Sequence, residues 1–223
     1  KMEAYLDNSA TTRVDAQVQE LMKKLMDVDF GNPSSRHQKG VVAEGYIKEA
    51  RQKIAATLKV DPKELIITSG GTESNNMALI GTALAAKRKG NHIITTAVEH
   101  PSVKATASFL EEQGFRITFL SVDSRGQISL EDLKEALTPD TILVSIMYVN
   151  NEIGTIQPVE EAAKLVHATV PGAVFHVDAI QAYGKVMIRP KQQGIDLLSV
   201  SSHKFHGPKG AGFLYCSSKV NLH

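Results

Sequence analysis

Short apolar segments alternate with helical segments along almost the whole chain, and this alternation is the strongest constraint on its fold. Seven segments have the pattern of strands, at residues 64–69, 92–98, 116–122, 141–149, 173–179, 196–202 and 210–217. Periodicity and capping signals predict helices at residues 15–27, 39–58, 72–89, 101–114, 129–137 and 158–170. This order predicts an α/β fold with a mostly parallel seven-stranded sheet sandwiched by helices. The last two strands are joined by a loop too short for a helical crossover, so we expect them to be antiparallel.

The composition is that of a globular protein and excludes some classes of partner. Of the 223 residues, 42% are hydrophobic, and the formal net charge is +1. A charge so close to zero predicts no binding to nucleic acid or to a membrane surface. No apolar run approaches the roughly 18 residues of a membrane span, and the first residues lack the apolar middle of a signal peptide. With a single cysteine, the chain is expected in a reducing cytoplasm.

A glycine turn after the first strand is a candidate phosphate site. In "SGGTESNN", Gly70 and Gly71 permit a tight turn and Thr72 opens a helix. Backbone N–H groups and a hydroxyl at a helix N-terminus bind phosphate well. The same residues also form an ordinary turn with an N-cap, so the motif alone does not establish a phosphate site. It lacks the Gly-Lys-Ser/Thr of a nucleotide-binding loop.

Further polar residues follow the other strands, where open α/β sheets bind ligands. They are His100, Asn150, Asn151, His176, Asp178, Gln181, Ser201, His203, Lys204 and His206. A single histidine or asparagine in such a place is more often structural than catalytic. Asp178 is more informative, because a carboxylate that ends an apolar strand is costly unless it is paired. A helix N-cap or a structural ion pair would also explain it.

Together these groups match the needs of pyridoxal phosphate. A lysine such as Lys204 forms a Schiff base with the cofactor aldehyde, and a carboxylate such as Asp178 keeps the ring nitrogen protonated. A helix N-terminus binds the phosphate, and a flat side chain covers the ring. The set of residues therefore predicts a pyridoxal-phosphate site at the carboxyl ends of the strands.

Several motifs, in order along the chain, resemble the cysteine desulfurases of the NifS/IscS type, which are fold-type I pyridoxal-phosphate enzymes. These motifs are "LDNSATT", "GNPSSRH", "TSGGTESNN", "NNEIGTIQPV", "HVDAIQ" and "SSHKFHGPKG". The resemblance implies the fold of a cofactor-binding large domain for residues 15–223. It also implies that residues 1–14 pack on a small C-terminal domain.

The resemblance implies a role for each matched residue. Lys204 anchors the cofactor and, with His100, is catalytic; His100 also stacks on the ring. Asp178 pairs with the ring nitrogen, and Gln181 and Asn151 contact the ring hydroxyl or the substrate carboxylate. The phosphate is held by Gly71, Thr72, Ser201 and His203. His206 has a weaker assignment behind the site, and no metal is required.

The implied activity is the conversion of L-cysteine to L-alanine, with sulfur passed to an enzyme persulfide for iron–sulfur cluster assembly. The implied partners are a second copy of the chain and an iron–sulfur scaffold or another sulfur acceptor. In the family the nucleophilic cysteine and a carboxylate-binding arginine lie in the small domain, beyond the matched motifs. Cys216 matches no such position and is expected to be a small buried or edge-strand residue. These 223 residues are therefore expected to be inactive alone.

Three alternatives stay open. One is another fold-type I enzyme, such as a selenocysteine lyase or an aminotransferase. Another is a non-catalytic fragment that keeps a cofactor pocket. A more remote one is a metal-dependent hydrolase that uses His100, His176, Asp178, His203 and His206 as ligands, but this hypothesis leaves Lys204 and the glycine turn without a role.

Overall fold

The seven strands form one sheet. A computed structural model of the chain describes residues 3–223. The strands are Leu65–Thr68 (β1), His92–Thr96 (β2), Arg116–Leu120 (β3), Thr141–Met147 (β4), Val174–Asp178 (β5), Leu197–Ser201 (β6) and Gly212–Cys216 (β7). The helices are Ala16–Asp27 (α1), Gln38–Leu58 (α2), Gly71–Ala86 (α3), Pro101–Glu112 (α4), Leu130–Ala136 (α5), Val159–Thr169 (α6) and Pro190–Gln193 (α7). Single 3₁₀ turns occupy Pro62–Glu64 and Ser202–Lys204.

The strand order confirms the predicted α/β class. The sheet runs β1-β7-β6-β5-β4-β2-β3. The pairs β2–β3, β2–β4, β4–β5 and β5–β6 are parallel, whereas β7 is antiparallel to both of its neighbours, β6 and β1. The predicted antiparallel pairing of the last two strands is therefore confirmed. The strand order reverses beside β4, so the loops after β2 and β4 separate there and leave the crevice in which such folds bind ligands.

Helices cover both faces of the sheet and bury two apolar layers. On one face, α3 and α4 pack through residues such as Leu79, Val103 and Leu110. On the other face, α2, α5 and α6 pack through residues such as Leu58 and Leu133. Every residue of β4 is buried, as expected for a central parallel strand. Each fully buried leucine contributes about 1.5–3 kcal/mol, so the two layers hold the strand ends in fixed positions.

The helix ends follow local chemistry. Pro101 occupies the first turn of α4, where its missing N–H costs nothing, and His100 caps that helix. α3 ends at Ala86, three residues before the predicted end. The four-residue helix α7 was not predicted, since it is too short to show a period. Its signals are Pro190 at the start and Gly194 in the left-handed region at the end.

The N-terminal segment lies along the turn that follows β6. Thr12 N donates to His203 O at 2.9 Å, and Asp15 N donates to His206 O at 3.0 Å. The expectation that residues 1–14 pack on a further domain stays a prediction, and residues 1 and 2 lie outside the described part of the chain. Between residues 3 and 223, none of the helices combines the length and the apolar character needed to cross a membrane.

Candidate functional site

A cavity of about 490 Å³ opens at the carboxyl ends of the parallel strands. All nine site residues predicted from the sequence line it: Gly71, Thr72, His100, Asn151, Asp178, Gln181, Ser201, His203 and Lys204. Six further residues complete the wall: Ser9, Ala10, Ser102, Met147, Glu152 and Ile180. The volume lies within the range of about 300–1,000 Å³ that is usual for small-molecule sites.

One end of the cavity is suited to an anion. Helix α3 begins at Gly71, directly after Gly70, whose φ of 152° favours glycine. The first N–H groups of a helix have no partner within the helix and carry a partial positive charge. The hydroxyl of Thr72 stands at this helix start, and Ser201 and His203 line the same cavity. N–H groups, hydroxyls and an imidazole are suitable ligands for a phosphate.

Lys204 projects into the cavity from the 3₁₀ turn after β6. Its Nζ donates to the carbonyl oxygens of Ser9 and Ala10, at 2.5 and 2.8 Å. Burial lowers the pKa of Lys204, and the positive charge of Lys185 lowers it further. A lowered pKa increases the fraction of neutral amine, which is the nucleophilic form.

Asp178 ends β5 and is 3% exposed. Its Oδ1 accepts a hydrogen bond from Ile180 N at 3.0 Å, and its Oδ2 accepts one from Asn75 Nδ2 at 2.9 Å. Burial raises the pKa of Asp178, and these two hydrogen bonds oppose that rise. The bond to Ile180 is the local backbone contact that a capping role predicts. The partners are an amide and a backbone N–H rather than a cation, so a structural ion pair does not explain this carboxylate.

His100 lies at the start of α4. Its Nδ1 accepts a hydrogen bond from Ser102 N at 3.1 Å and lies 2.8 Å from Ser102 Oγ. Gln181 Nε2 donates to Ser9 O at 2.8 Å, so Gln181 and Lys204 share that carbonyl. Asn151 follows β4 at the turn that borders the cavity. Hence one chamber is lined from β2, β4, β5, β6 and the N-terminal segment.

Three polar residues considered in the sequence lie outside the cavity. His176 is fully buried between Ser145 Oγ and Ser199 Oγ, each at 2.8 Å, and burial lowers its pKa to about 3. Asn150 accepts from the backbone of its own turn. His206 has a φ of 69°, and its Nδ1 lies 3.0 Å from the carbonyl oxygen of Arg13. These contacts are structural.

The remote metal hypothesis loses its support from this arrangement. Among residues 3–223, no group of three or more His, Cys, Asp or Glu side chains could hold a metal ion. His176 is enclosed in the sheet by its two serines, and His206 is turned toward the N-terminal segment. Two of the five proposed ligands, His176 and His206, therefore lie outside the cavity that His100, Asp178 and His203 line.

Cys216 is partly buried near the amino ends of the parallel strands, at the end of the sheet away from the cavity. It pairs with Leu197 at the start of β6, whereas Gly212 pairs with Ser201 beside the cavity. Four residues of strand separate these positions, about 13 Å at roughly 3.3 Å per residue. β7 lies between β1 and β6, so the expectation of an edge strand is wrong and that of a buried position holds in part. Burial raises the pKa of this thiol to about 11.

Some residues of the site were not found from the sequence. The carbonyls of Ser9 and Ala10 contact Lys204 across 195 and 194 residues of sequence, and no local pattern predicts that. Ser102 carried a signal, since a hydroxyl in the first turn of a helix commonly faces the N-terminal groups. Asn75 is buried in the middle of a helix, where the sequence pattern indicates only an ordinary core position.

The donor set fits pyridoxal phosphate. An anion-binding helix start and a lysine amine face one cavity, and a buried carboxylate lies in its wall. Gly71 also leaves room for the side chain of Ile180, which a Cβ at position 71 would overlap. The arrangement defines an α/β domain of the fold-type I class.

Comparison with known families agrees with this class. Residues 4–222 match the family model described as aminotransferase class-V, and the chain belongs to that family. It is 49% identical over 223 residues to a cysteine desulfurase IscS from Dictyoglomus turgidum, covering 100% of this chain and 56% of that protein. It is 48% identical over 218 residues to a cysteine desulfurase IscS from Methanosarcina thermophila, covering 98% of this chain and 54% of that protein.

Solved structures give the same picture. A NifS-like protein superposes with a TM-score of 0.97 at 42% identity, covering 100% of this chain and 61% of that one. A structure of SspA in complex with cysteine superposes with a TM-score of 0.92 at 41% identity, covering 96% of this chain and 61% of that one. The predicted resemblance to the NifS/IscS type is confirmed. The chain spans a little over half the length of the curated relatives it matches.

Proposed function

We propose that the whole protein is a pyridoxal-phosphate-dependent cysteine desulfurase that converts L-cysteine to L-alanine. The observation that carries the proposal is the convergence of Lys204, Asp178 and the start of α3 on one cavity. The names of the relatives support it, and so does a structural relative solved in complex with cysteine. In this proposal the protein works as a homodimer in the cytoplasm. It passes sulfur to an iron–sulfur scaffold or another acceptor protein and binds neither nucleic acid nor membrane.

Different residues of the cavity bind different parts of the cofactor in this proposal. The phosphate would be held by Thr72, Ser201, His203 and the backbone N–H of Gly71. The N–H groups, hydroxyls and imidazole at that end of the cavity support this role. When bound, pyridoxal phosphate supplies an electron sink for negative charge at the substrate Cα. Asp178 would hold a proton at the ring nitrogen, and its two hydrogen bonds favour the charged form of the carboxylate against the effect of burial.

The remaining residues handle the substrate. The lowered pKa of Lys204 suits an amine that first attaches the cofactor and later accepts the Cα proton. His100 would cover one face of the ring, and Asn151 and Gln181 would contact the substrate carboxylate or the ring hydroxyl. Their shared place around the cavity supports these roles.

The sulfur step needs a thiolate near the cavity. In this step the C–S bond of L-cysteine breaks, its sulfur bonds to an enzyme thiolate, and the remaining carbon takes up a proton to give L-alanine. Cys216 is the only cysteine of the 223 residues. It lies near the amino ends of the parallel strands, away from the cavity, and its thiol has a raised pKa. We therefore propose that Cys216 is not the nucleophile and that these 223 residues alone bind the cofactor without forming persulfide.

Labelling of the cofactor lysine tests the proposal. The 223-residue chain is incubated with pyridoxal phosphate, reduced with borohydride and mapped by peptide mass spectrometry. The label is expected on Lys204 and should disappear in Lys204→Ala. Lys185→Ala is the matched control, because Lys185 lies close enough for its charge to lower the pKa of Lys204 but does not line the cavity. A label on Lys185, or none on Lys204, would refute the assignment.

A second assay separates cofactor binding from sulfur transfer. Sulfide release from L-cysteine in the presence of a reductant is measured with the 223-residue chain. No release is expected from the chain that has not been reduced with borohydride, even though the labelling experiment finds the cofactor on Lys204. Release that disappears in Cys216→Ser would show that Cys216 is the nucleophile after all.

A further inference from the structure

A chain of hydrogen bonds links Asp178 to His100 through two residues without an assigned role. Asn75 Nδ2 lies 2.9 Å from Asp178 Oδ2 and 3.0 Å from Ser102 Oγ. Ser102 Oγ lies 2.8 Å from His100 Nδ1. Asn75 belongs to α3 and Ser102 to α4, so the chain crosses the contact between these helices. Asn75 alone of the four lies outside the cavity lining, and the chain joins the two side chains to which the proposed function gives different tasks.

The chemistry of Asn75 sets the direction of these hydrogen bonds. An amide nitrogen can only donate, and a carboxylate oxygen can only accept. Asn75 Nδ2 therefore gives one hydrogen to Asp178 and its second hydrogen to Ser102 Oγ. Because the hydroxyl of Ser102 accepts from Asn75, its own hydrogen is free to be donated to His100 Nδ1.

A second donor acts on the same imidazole nitrogen. Ser102 N donates to His100 Nδ1 at 3.1 Å, and a backbone N–H can only donate. Nδ1 must then carry a lone pair, so the hydrogen of the neutral ring is on Nε2. Helix α4 spans 12 residues, and the partial positive charge at its start also disfavours a proton on Nδ1.

The setting of Asn75 shows that its place is not explained by packing. Its side chain is 0% exposed, and within residues 3–223 its Oδ1 is buried without a hydrogen-bond partner. An unpaired buried polar atom destabilises a fold, so an apolar residue would suit a purely structural position better. The two hydrogen bonds of Nδ2 are what this position provides.

We propose that Asn75 and Ser102 are positioning residues that fix His100 as the tautomer with hydrogen on Nε2. Nδ1 is occupied by the start of α4, so Nε2 is the nitrogen available to the cavity. His100 then donates a hydrogen bond to the bound molecule and does not act as the base, which leaves the Cα proton to Lys204. This inference rests on the proposed function for the identity of the bound molecule, but the tautomer itself does not depend on it.

Nitrogen NMR of histidine-labelled protein tests the inference without cofactor. Spectra of ¹⁵N-histidine-labelled 223-residue chain are recorded for the wild type, Ser102→Ala and Asn75→Ala, and His100→Asn identifies the His100 signals. In the wild type, Nδ1 is expected at the shift of a nitrogen with a lone pair, and Nε2 at that of an N–H. In each variant, the share of the Nδ1–H tautomer should rise about 5-fold, the effect of one neutral hydrogen bond.

Thr106→Val is the matched control. Thr106 carries another buried hydroxyl of α4, which lies within hydrogen-bond distance of Asn76 Oδ1 and of the backbone oxygen of Ser102, but it contacts neither Ser102 Oγ nor the His100 ring. Its removal should leave the His100 signals unchanged. Hydrogen on Nδ1 in the wild type would overturn the inference. So would equal effects of Thr106→Val and Ser102→Ala, or unchanged His100 signals in both Ser102→Ala and Asn75→Ala. Failure of Lys204 labelling would refute the proposed function and leave these spectra interpretable.

Discussion

Glu99 offers a direct test of how burial acts on charge in this fold. The side chain is 3% exposed and lies in the segment between β2 and α4, where it bonds the backbone of Met147, a residue of the cavity wall. Its Oε1 accepts from Thr96 Oγ1 and from Met147 N, both at 2.9 Å, whereas its Oε2 is buried without a partner among residues 3–223. Burial raises the pKa of Glu99 from 4.5 to about 8, and the charge of Asp178 raises it further. The folded protein therefore holds Glu99 as the neutral acid at neutral pH.

The sign of the pH dependence follows from proton linkage. Between pH 4.5 and about 8 the unfolded chain loses a proton that the folded protein retains, so this group makes the free energy of unfolding fall as pH rises. One pKa unit corresponds to about 1.36 kcal/mol, which gives a loss of about 4 kcal/mol between pH 5 and pH 9. This is a large share of the roughly 5–15 kcal/mol that stabilises a typical domain.

The perturbation is Glu99→Gln, which introduces a neutral side chain of the same shape. The introduced amide keeps an oxygen for Thr96 and Met147, and its buried NH₂ group adds a cost that does not change with pH. The measurement is urea unfolding followed by circular dichroism at pH 5, 7 and 9. Relative to the wild type, the variant should gain about 4 kcal/mol across this range. Asp178 titrates in both proteins, so its effect largely cancels in the difference.

An exposed carboxylate provides the control. Glu44 lies on the solvent side of α2, and water solvates it in the folded and unfolded chain alike. The gain of Glu99→Gln across this pH range should therefore exceed that of Glu44→Gln, the control for removal of a carboxylate that the fold does not bury. Parallel stability curves for the wild type and Glu99→Gln would refute the reasoning, because they would show that Glu99 is charged inside the fold.

Two further predictions concern packing and the thiol. A Cβ at Gly212 would lie 2.5 Å from Val200 O and 2.8 Å from the Cα of Gly70, so Gly212→Ala should lose about 1–3 kcal/mol in urea unfolding and weaken pyridoxal-phosphate binding. Gly45→Ala, where nothing lies within 4 Å, should instead gain about 0.5–1 kcal/mol, and equal effects would contradict the argument. Burial raises the pKa of Cys216 from 9.0 to about 11, so at pH 8 its reaction with a disulfide reagent should be about 100-fold slower in the folded chain than in urea. Equal rates in the two states would show an exposed thiol.

Much of the fold could be predicted from local pattern. The seven apolar segments became the seven strands, and β2, β4 and β6 are buried at every residue, as expected of strands in a sheet covered on both faces. Proline at a helix start and glycine in turns act through their own backbone geometry, so their effect can be predicted without knowledge of their neighbours. That polar residues would gather at one end of the sheet could also be predicted, because parallel strands place their carboxyl ends together, whereas the choice of the nine site residues came from the family resemblance.

Only the tertiary structure decided which groups meet across long stretches of sequence. The order β1-β7-β6-β5-β4-β2-β3 places β7 inside the sheet, which the alternation of segments does not specify. Lys204 gives its hydrogens to Ser9 and Ala10, and Asn75 joins Asp178 across 103 residues, contacts for which no local pattern exists. Local propensity and periodicity act over a few residues, whereas these contacts and the raised pKa of Glu99 depend on which surfaces pack together and exclude water. The sequence determined the elements and the chemistry at their ends; the packing of α3 and α4 on the sheet decided how that chemistry is connected.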